Sequence, residues 1–164
     1  MKALFIGRFQ PFHKGHLKAI KYLTNKYDEI IIGIGSSQYS NTVDNPFSSD
    51  ERVCMIQESL KQENIKNYKI MLIPDIHNPP KWIDHVLSII SDFDVVVTNN
   101  KLTKKLFLEK KIKIKKIPFF NKKEYSGRVI RKKILENKSW ENLVPKPCIQ
   151  IIKDISKRFK EPKS

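Results

Sequence analysis

Two of the four histidines in this chain, His13 and His16, stand three residues apart in the stretch GRFQPFHKGH, just after an apolar run that stops at Gly7. Paired imidazoles at this spacing can ligate a metal, cap and pack a helix, or donate hydrogen bonds to an anion. A catalytic zinc site wants a third protein ligand and, within a helix, usually an i,i+4 pair. The third reading has more in its favour. Gly15 permits close backbone approach, and the helical pattern that follows presents its first N–H groups and the positive end of its dipole. Such a turn suits a phosphate group. Neither common phosphate cradle is present, because no GxGxxG follows the first strand and GxxxxGK[ST] is absent. No GxSxG elbow exists and neither Cys54 nor Cys148 falls at a strand end, so a covalent nucleophile is not expected.

The elements that must position this turn follow from periodicity. Apolar runs at 2–7, 29–35 (EIIIGIG), 68–74, 94–99 and 111–118 read as strands. Between them lie helical patterns: 14–27, Ser48 to about Gln62, the segment PPKWIDHVLSIIS, and LTKKLFLEKK. Two more helices, from Ser126 to about Asn137 and from Ile149 to Phe159, complete the chain. Ser48 with Glu51 forms a capping-box signature, and Pro79 and Pro80 suit a first helical turn. Strand–helix alternation predicts an α/β fold, a single-domain Rossmann-like parallel five-stranded sheet with helices on both faces. One domain is expected over 1–159, with a fraying tail at 160–164. In such a sheet ligands bind beyond the carboxyl ends of the strands. The loops after the first four strands, joined by the turn before Ser126, should therefore form one site.

Bulk composition bounds the partners. With 164 residues, 40% of them hydrophobic, the chain is long enough for one domain with a real core. No apolar run approaches the roughly 20 residues of a membrane helix, and MKALFIG is too short for a signal peptide. Two isolated cysteines outside any CxxC point to a reduced, cytoplasmic protein. The formal net charge of +15 suits a polyanionic partner, but the ten lysines from Lys101 to Lys123 are interleaved with aliphatics rather than with Arg and aromatics. That pattern reads as a solvated face, and nucleic acid is not the expected partner.

GRFQPFHKGH resembles the first signature of the HxGH nucleotidyltransferase superfamily. The likeness to the archaeal-type nicotinamide mononucleotide adenylyltransferases extends through DEIIIGIGSSQ, NPFSSDER, IPDI followed by Trp82, and YSGRVIRKKI followed by WENLVPK. These blocks run from Met1 to about Ile155. The resemblance implies in-line attack of the 5′-phosphate of nicotinamide mononucleotide on the α-phosphate of ATP, giving NAD and pyrophosphate. It assigns His13, His16, Arg8 and Arg131 to catalysis on the triphosphate, and Gly7, Phe9, Gly15, Asn100, Ser126 and Gly127 to ATP binding. Asp75, Trp82, Ser36 and Asn78 fall to the nicotinamide nucleotide, with Trp82 stacked on the ring. Mg2+ is expected with ATP, held largely through phosphates and water with no side chain assigned to it, and a homo-oligomer, hexameric by analogy, is implied. Four positions depart from the family pattern: Arg128 for a threonine, Asn41 for a histidine, Pro79 for an asparagine, and Asn99 in a turn that is usually Gly-Asn. Phosphopantetheine, flavin mononucleotide and small phosphorylated alcohols are the rival acceptors within the superfamily. A basic nucleic-acid module is the rival of another class.

Overall fold

The apolar runs become five parallel strands, in a computed structural model that describes residues 1–118, 121 and 123–160. The expected fraying tail therefore lies outside the described residues, apart from the backbone of Lys160. The chain divides into two compact units interleaved in sequence. One comprises Met1–Arg8, Ile20–Gln38 and Asn67–Pro118; the other comprises Phe9–Ala19, Tyr39–Lys66 and the described part of Phe119–Ser164.

The first unit holds the sheet. Its strands are β1 (Lys2–Gly7), β2 (Glu29–Gly35), β3 (Tyr68–Ile73), β4 (Val95–Val97) and β5 (Ile114–Lys115), in the order β3-β2-β1-β4-β5. All pairs are parallel: Lys2 opposes Glu29, Ile30 opposes Tyr68, Ala3 opposes Val95 and Val96 opposes Ile114. β2 is buried along nearly its whole length, as a β-branched strand covered on both faces must be. Two helices of this unit are α3 (Pro79–Ile89) and α4 (Lys101–Glu109). On one face of the sheet, Leu4, Ile31, Ile73 and Val96 pack with Ile83 and Val86 of α3, its C-cap Ile90 and Phe107 of α4. Strand order reverses between β1 and β4, so the crevice beyond their carboxyl ends is the expected ligand position.

Three strands, β3, β4 and β5, are shorter than their sequence patterns. β5 covers two residues of 111–118; Lys111, in the left-handed region at φ 57°, belongs to the turn after α4 and delays its start. Alternation still holds across the segment: Ile112 and Ile114 are half-buried, and Lys113 and Lys115 are exposed. Beyond β4 and β5 the pairing passes to a side chain. Asn99 Nδ2 donates to the Ile117 carbonyl at 2.8 Å, and its Oδ1 accepts from the Ile117 N–H at 3.3 Å.

The second unit is helical: α2 (Ser49–Gln62), α5 (Gly127–Leu135), a 3-10 turn at Glu141–Leu143 and α6 (Lys146–Lys160). The capping box at Ser48 and Glu51 is present with both of its hydrogen bonds. α6 begins earlier than expected, at Lys146, because Pro147 is tolerated in a first turn. α2 and α6 meet where Ser59 Oγ lies 3.3 Å from Cys148 Sγ, and the Arg158 guanidinium makes two hydrogen bonds to Glu51, at 2.9 and 2.8 Å. α1 (Lys14–Thr24) begins in this unit and stops three residues before the 14–27 limit of its pattern. No helix among the described residues is long and apolar enough to cross a membrane.

Candidate active site

The HKGH turn is built as a reciprocal cap. His13 precedes α1, and its carbonyl accepts the Leu17 N–H at 3.1 Å. His13 Nδ1 accepts the His16 N–H at 3.3 Å, while the His13 N–H donates to His16 Nδ1 at 3.2 Å. This is the capping-box pattern with imidazoles in place of Ser and Glu, and it explains the three-residue spacing. Because both Nδ1 atoms accept, each neutral ring carries its proton on Nε2. Each ring thus has one N–H that the cap does not use.

The surroundings keep both rings neutral and fixed. The two imidazoles stack at 3.6 Å with 18° between planes, Phe12 stacks on His16 at 5.6 Å, and Phe9 meets His16 edge-on at 4.7 Å. Burial pushes the His13 pKa down to about 4. Burial first, and the neighbouring His13 second, hold His16 well below the usual imidazole range. Phe9, expected among the ATP-binding residues, is only 1% exposed and acts here as packing for His16. A Cβ on Gly15 would come within 2.9 Å of both the His13 ring and the Tyr125 side chain. Gly15 is therefore required by the fit of the imidazole.

Arg131 is not a solvated residue on a helix face. It is half-buried, and its Nη1 donates to the Gln10 carbonyl at 2.7 Å. A Cβ on Gly127 would lie 2.9 Å from that same Nη1 and 3.0 Å from the Gln10 oxygen, so glycine there admits the guanidinium. Ser126 is the N-cap of α5 with no side-chain capping bond, and Arg128 is exposed. Gln10, which sequence reasoning passed over, is buried and clasps the Phe47 backbone with bonds of 2.8 and 2.9 Å. Its place inside the GRFQPFHKGH motif was the available signal. Asn41 sits in a left-handed turn at φ 58°, its N–H donating to the Pro46 carbonyl.

In the sheet unit, a cleft of about 760 Å³ opens at the topological switch. All four strand-end loops expected to contribute do so: Gly7 and Arg8 after β1, Gly35 and Ser36 after β2, Asp75 to Trp82 after β3, and Thr98 and Asn100 after β4. Trp82 has two roles, lining the cleft while meeting Phe107 edge-on at 5.9 Å. Asp75 Oδ1 accepts the His77 N–H at 2.8 Å, holding a loop in which His77 is left-handed at φ 52°. Asn78 precedes α3 without a side-chain capping bond, and Pro79 occupies the first turn. Asn100 Oδ1 caps α4 by accepting from the Thr103 N–H at 2.9 Å, so that atom already has a structural duty. His77, Thr103 and Leu106 line the cleft without having been expected there, and nothing in their spacing marked them.

Among the described residues, no group of three or more His, Cys, Asp or Glu is arranged to hold a metal ion. Cys148 is buried, and burial pushes its thiol up to about 11. That is the environment of an inert structural cysteine. Taken separately, the helical unit offers oriented imidazole donors and a guanidinium, groups suited to stabilising charge on phosphates, and the sheet unit offers a partly aromatic cleft.

The cytidylyltransferase-like family model matches residues 4–133, and the chain belongs to that family of nucleotide-transferring α/β proteins. Within it, the chain groups with the archaeal nicotinamide-nucleotide adenylyltransferases. It is 46% identical to the enzyme of that name from Thermoplasma acidophilum, over 94% of this chain and 86% of the relative. Identity is also 46% to the one from Methanococcus aeolicus, over 94% and 90% of the two chains. The bifunctional NMN adenylyltransferase/ADP ribose pyrophosphatase from Francisella tularensis, solved with AMP and a Mn ion, shares the fold at a TM-score of 0.76 and 24% identity. That match covers 99% of this chain and 49% of the larger one.

Proposed function

We infer that the protein is a nicotinamide-nucleotide adenylyltransferase. The 5′-phosphate oxygen of nicotinamide mononucleotide attacks the α-phosphorus of ATP. A new P–O–P bond forms, the α–β bridge breaks, and pyrophosphate leaves with the electron pair. A phosphate nucleophile needs no general base, so the protein's task is placement and charge stabilisation.

The observation that carries this reading is the reciprocal cap at His13 and His16. It leaves two neutral, immobilised rings with Nε2–H donors for a phosphate whose charge redistributes as pyrophosphate departs. Arg131 and Arg8 supply planar cations for phosphate oxygens. Ser126 and Gly127 add the N-terminus of α5. In the sheet unit, the cleft takes the nicotinamide nucleotide, its ring against Trp82 and its polar groups near Asp75, Ser36 and Asn78. Asn100, with Gly7 at the end of β1, serves ATP in this reading.

A divalent ion, magnesium in our reading, would be carried by the triphosphate and water rather than by a side-chain cluster, and would offset charge on the departing pyrophosphate. Mn in the Francisella neighbour supports a divalent ion there. Two free cysteines suit a reducing, cytoplasmic setting. Self-association into a hexamer rests on the family resemblance, and sedimentation velocity reads it directly. Pyrophosphate release from ATP against a panel of nicotinamide mononucleotide, phosphopantetheine, flavin mononucleotide and phosphorylated alcohols tests the assignment. Turnover confined to the nicotinamide acceptor is expected, and turnover with another acceptor alone would replace it.

A further inference from the structure

At the carboxyl end of β2, the backbone ladder to β3 runs out after the Ser37 N–H donates to the Ile73 carbonyl at 3.2 Å. One residue further on, a side chain takes over. Gln38 Nε2 donates to the Asp75 carbonyl at 2.8 Å, and Gln38 Oε1 accepts from the Asp75 N–H at 2.9 Å. A primary amide holds its C=O and one N–H side by side, so in taking both bonds of one residue's backbone it stands in for the N–H and C=O of a residue on a neighbouring strand. From Asp75 the bonding continues: its Oδ1 holds the His77 N–H, and His77 stays in the left-handed region immediately before Asn78 and α3. His85 of α3 returns to the same segment, with Nε2 2.8 Å from the Pro74 carbonyl. Asp75, His77, Asn78 and Trp82 all line the cleft, whereas Gln38 is exposed and does not.

The geometry points to Gln38 as a positioning residue for the acceptor nucleotide, its amide holding the Asp75–Asn78 wall of the cleft in the binding conformation. This inference rests on reading the cleft as the nicotinamide-nucleotide site. A loop with a non-glycine residue at positive φ has more relaxed alternatives, and it keeps its shape only while its surroundings impose it. Without the clasp, the competent conformer falls to a fraction of the population and apparent affinity drops by that fraction. Gln38 lies outside the cleft, so the loss belongs in acceptor binding rather than in the chemical step.

The test compares Gln38→Ala and Gln38→Met with the parent protein, titrating both substrates in the pyrophosphate-release assay. Gln38→Met keeps the side-chain length and removes only the amide. Both variants should raise KM for nicotinamide mononucleotide about tenfold while kcat and KM for ATP stay within about twofold. Their melting temperatures should be unchanged, and amide exchange at Asp75 and His77 should quicken. A parent-like acceptor KM in the methionine variant would overturn the proposal, as would KM values for both substrates rising together. Trp82→Ala, run alongside, separates the two levels of inference. If it leaves the acceptor KM unchanged, the cleft assignment falls and Gln38's role with it. If it raises that KM and the Gln38 variants do not, only the positioning role is lost.

Discussion

Protonating either imidazole of the HKGH turn at Nδ1 would cost α1 a cap, because a protonated Nδ1 cannot accept the backbone N–H it now holds. The two ring nitrogens therefore divide the work, Nδ1 for the fold and Nε2 for the phosphate, and substitutions can separate them. His13→Asn keeps an N-capping acceptor and loses the Nε2–H, whereas His13→Ala loses both. Both variants should lose about 10²-fold or more in kcat. The asparagine variant should be more stable than the alanine variant by about 1 kcal/mol in urea unfolding. A parent-like kcat in His13→Asn would leave His13 a cap alone. The depressed pKa also sets a pH dependence. Below the ordinary value of 6.5 the unfolded chain takes up a proton that folded His13, at about 4, refuses. Stability is thus fully present above that ordinary value and is lost as pH falls towards the folded one, by about 1.4 kcal/mol per pH unit for this residue. Urea titrations of the parent and His13→Asn between about pH 7 and pH 5 should differ by that single-proton slope.

Among the elements, the same device recurs wherever a strand or loop must hold its place without a long backbone ladder. Gln10 clasps Phe47, Gln38 clasps Asp75 and Asn99 clasps Ile117, each amide using both its donor and its acceptor. Two of these sit where an edge strand leaves its inner neighbour, extending the sheet at the end that carries the cleft. α5 is tied differently, through the Arg131 bond to the Gln10 carbonyl. A lysine keeps the charge but lacks the planar fork that can hold a carbonyl and a phosphate oxygen at once. Arg131→Lys should therefore lower kcat/KM for ATP by about ten- to a hundredfold, the scale of one charge-assisted hydrogen bond. Parent-like activity in that variant would reduce Arg131 to a tether for the GRFQPFHKGH loop.

For the molecule as a whole, a formal charge of +15 is a standing repulsion. Of the lysines on α4 and in the β5 region, Lys110 pairs with Asp84 at 2.8 Å, while Lys101, Lys104, Lys105, Lys113 and Lys115 have no ion pair among the described residues. Screening should relieve this, since the Debye length falls from about 30 Å at 0.01 M salt to about 8 Å at 0.15 M. The melting temperature should accordingly rise with sodium chloride over that range. A fall with salt would mean that attractive pairs, such as Arg158–Glu51, outweigh the excess charge.

Local, repetitive signals were legible in the chain itself: five strands from apolar runs, six helices from their period and caps, and the GRFQPFHKGH turn from residue type and spacing, whereas the SGRVIR block stood out through the family resemblance. These follow from neighbours in sequence, where hydrophobic period and capping chemistry act. The strand order β3-β2-β1-β4-β5, the short β5 and the division into two units depend on contacts between distant residues, which local patterning does not encode. The same holds inside the site. The histidine spacing pointed to a phosphate, but only the folded turn shows that Nδ1 is spent on the backbone and that the remaining proton must sit on Nε2. Gly15 suggested close approach to a ligand and Gly127 was assigned to ATP binding through the resemblance, and the tertiary structure gives the space at these positions first to His13 and Arg131. Gln38 closes the DEIIIGIGSSQ block, but nothing there assigned it a role, because a side-chain amide becomes a strand mimic only when the fold brings Asp75, 37 positions away, within hydrogen-bond reach.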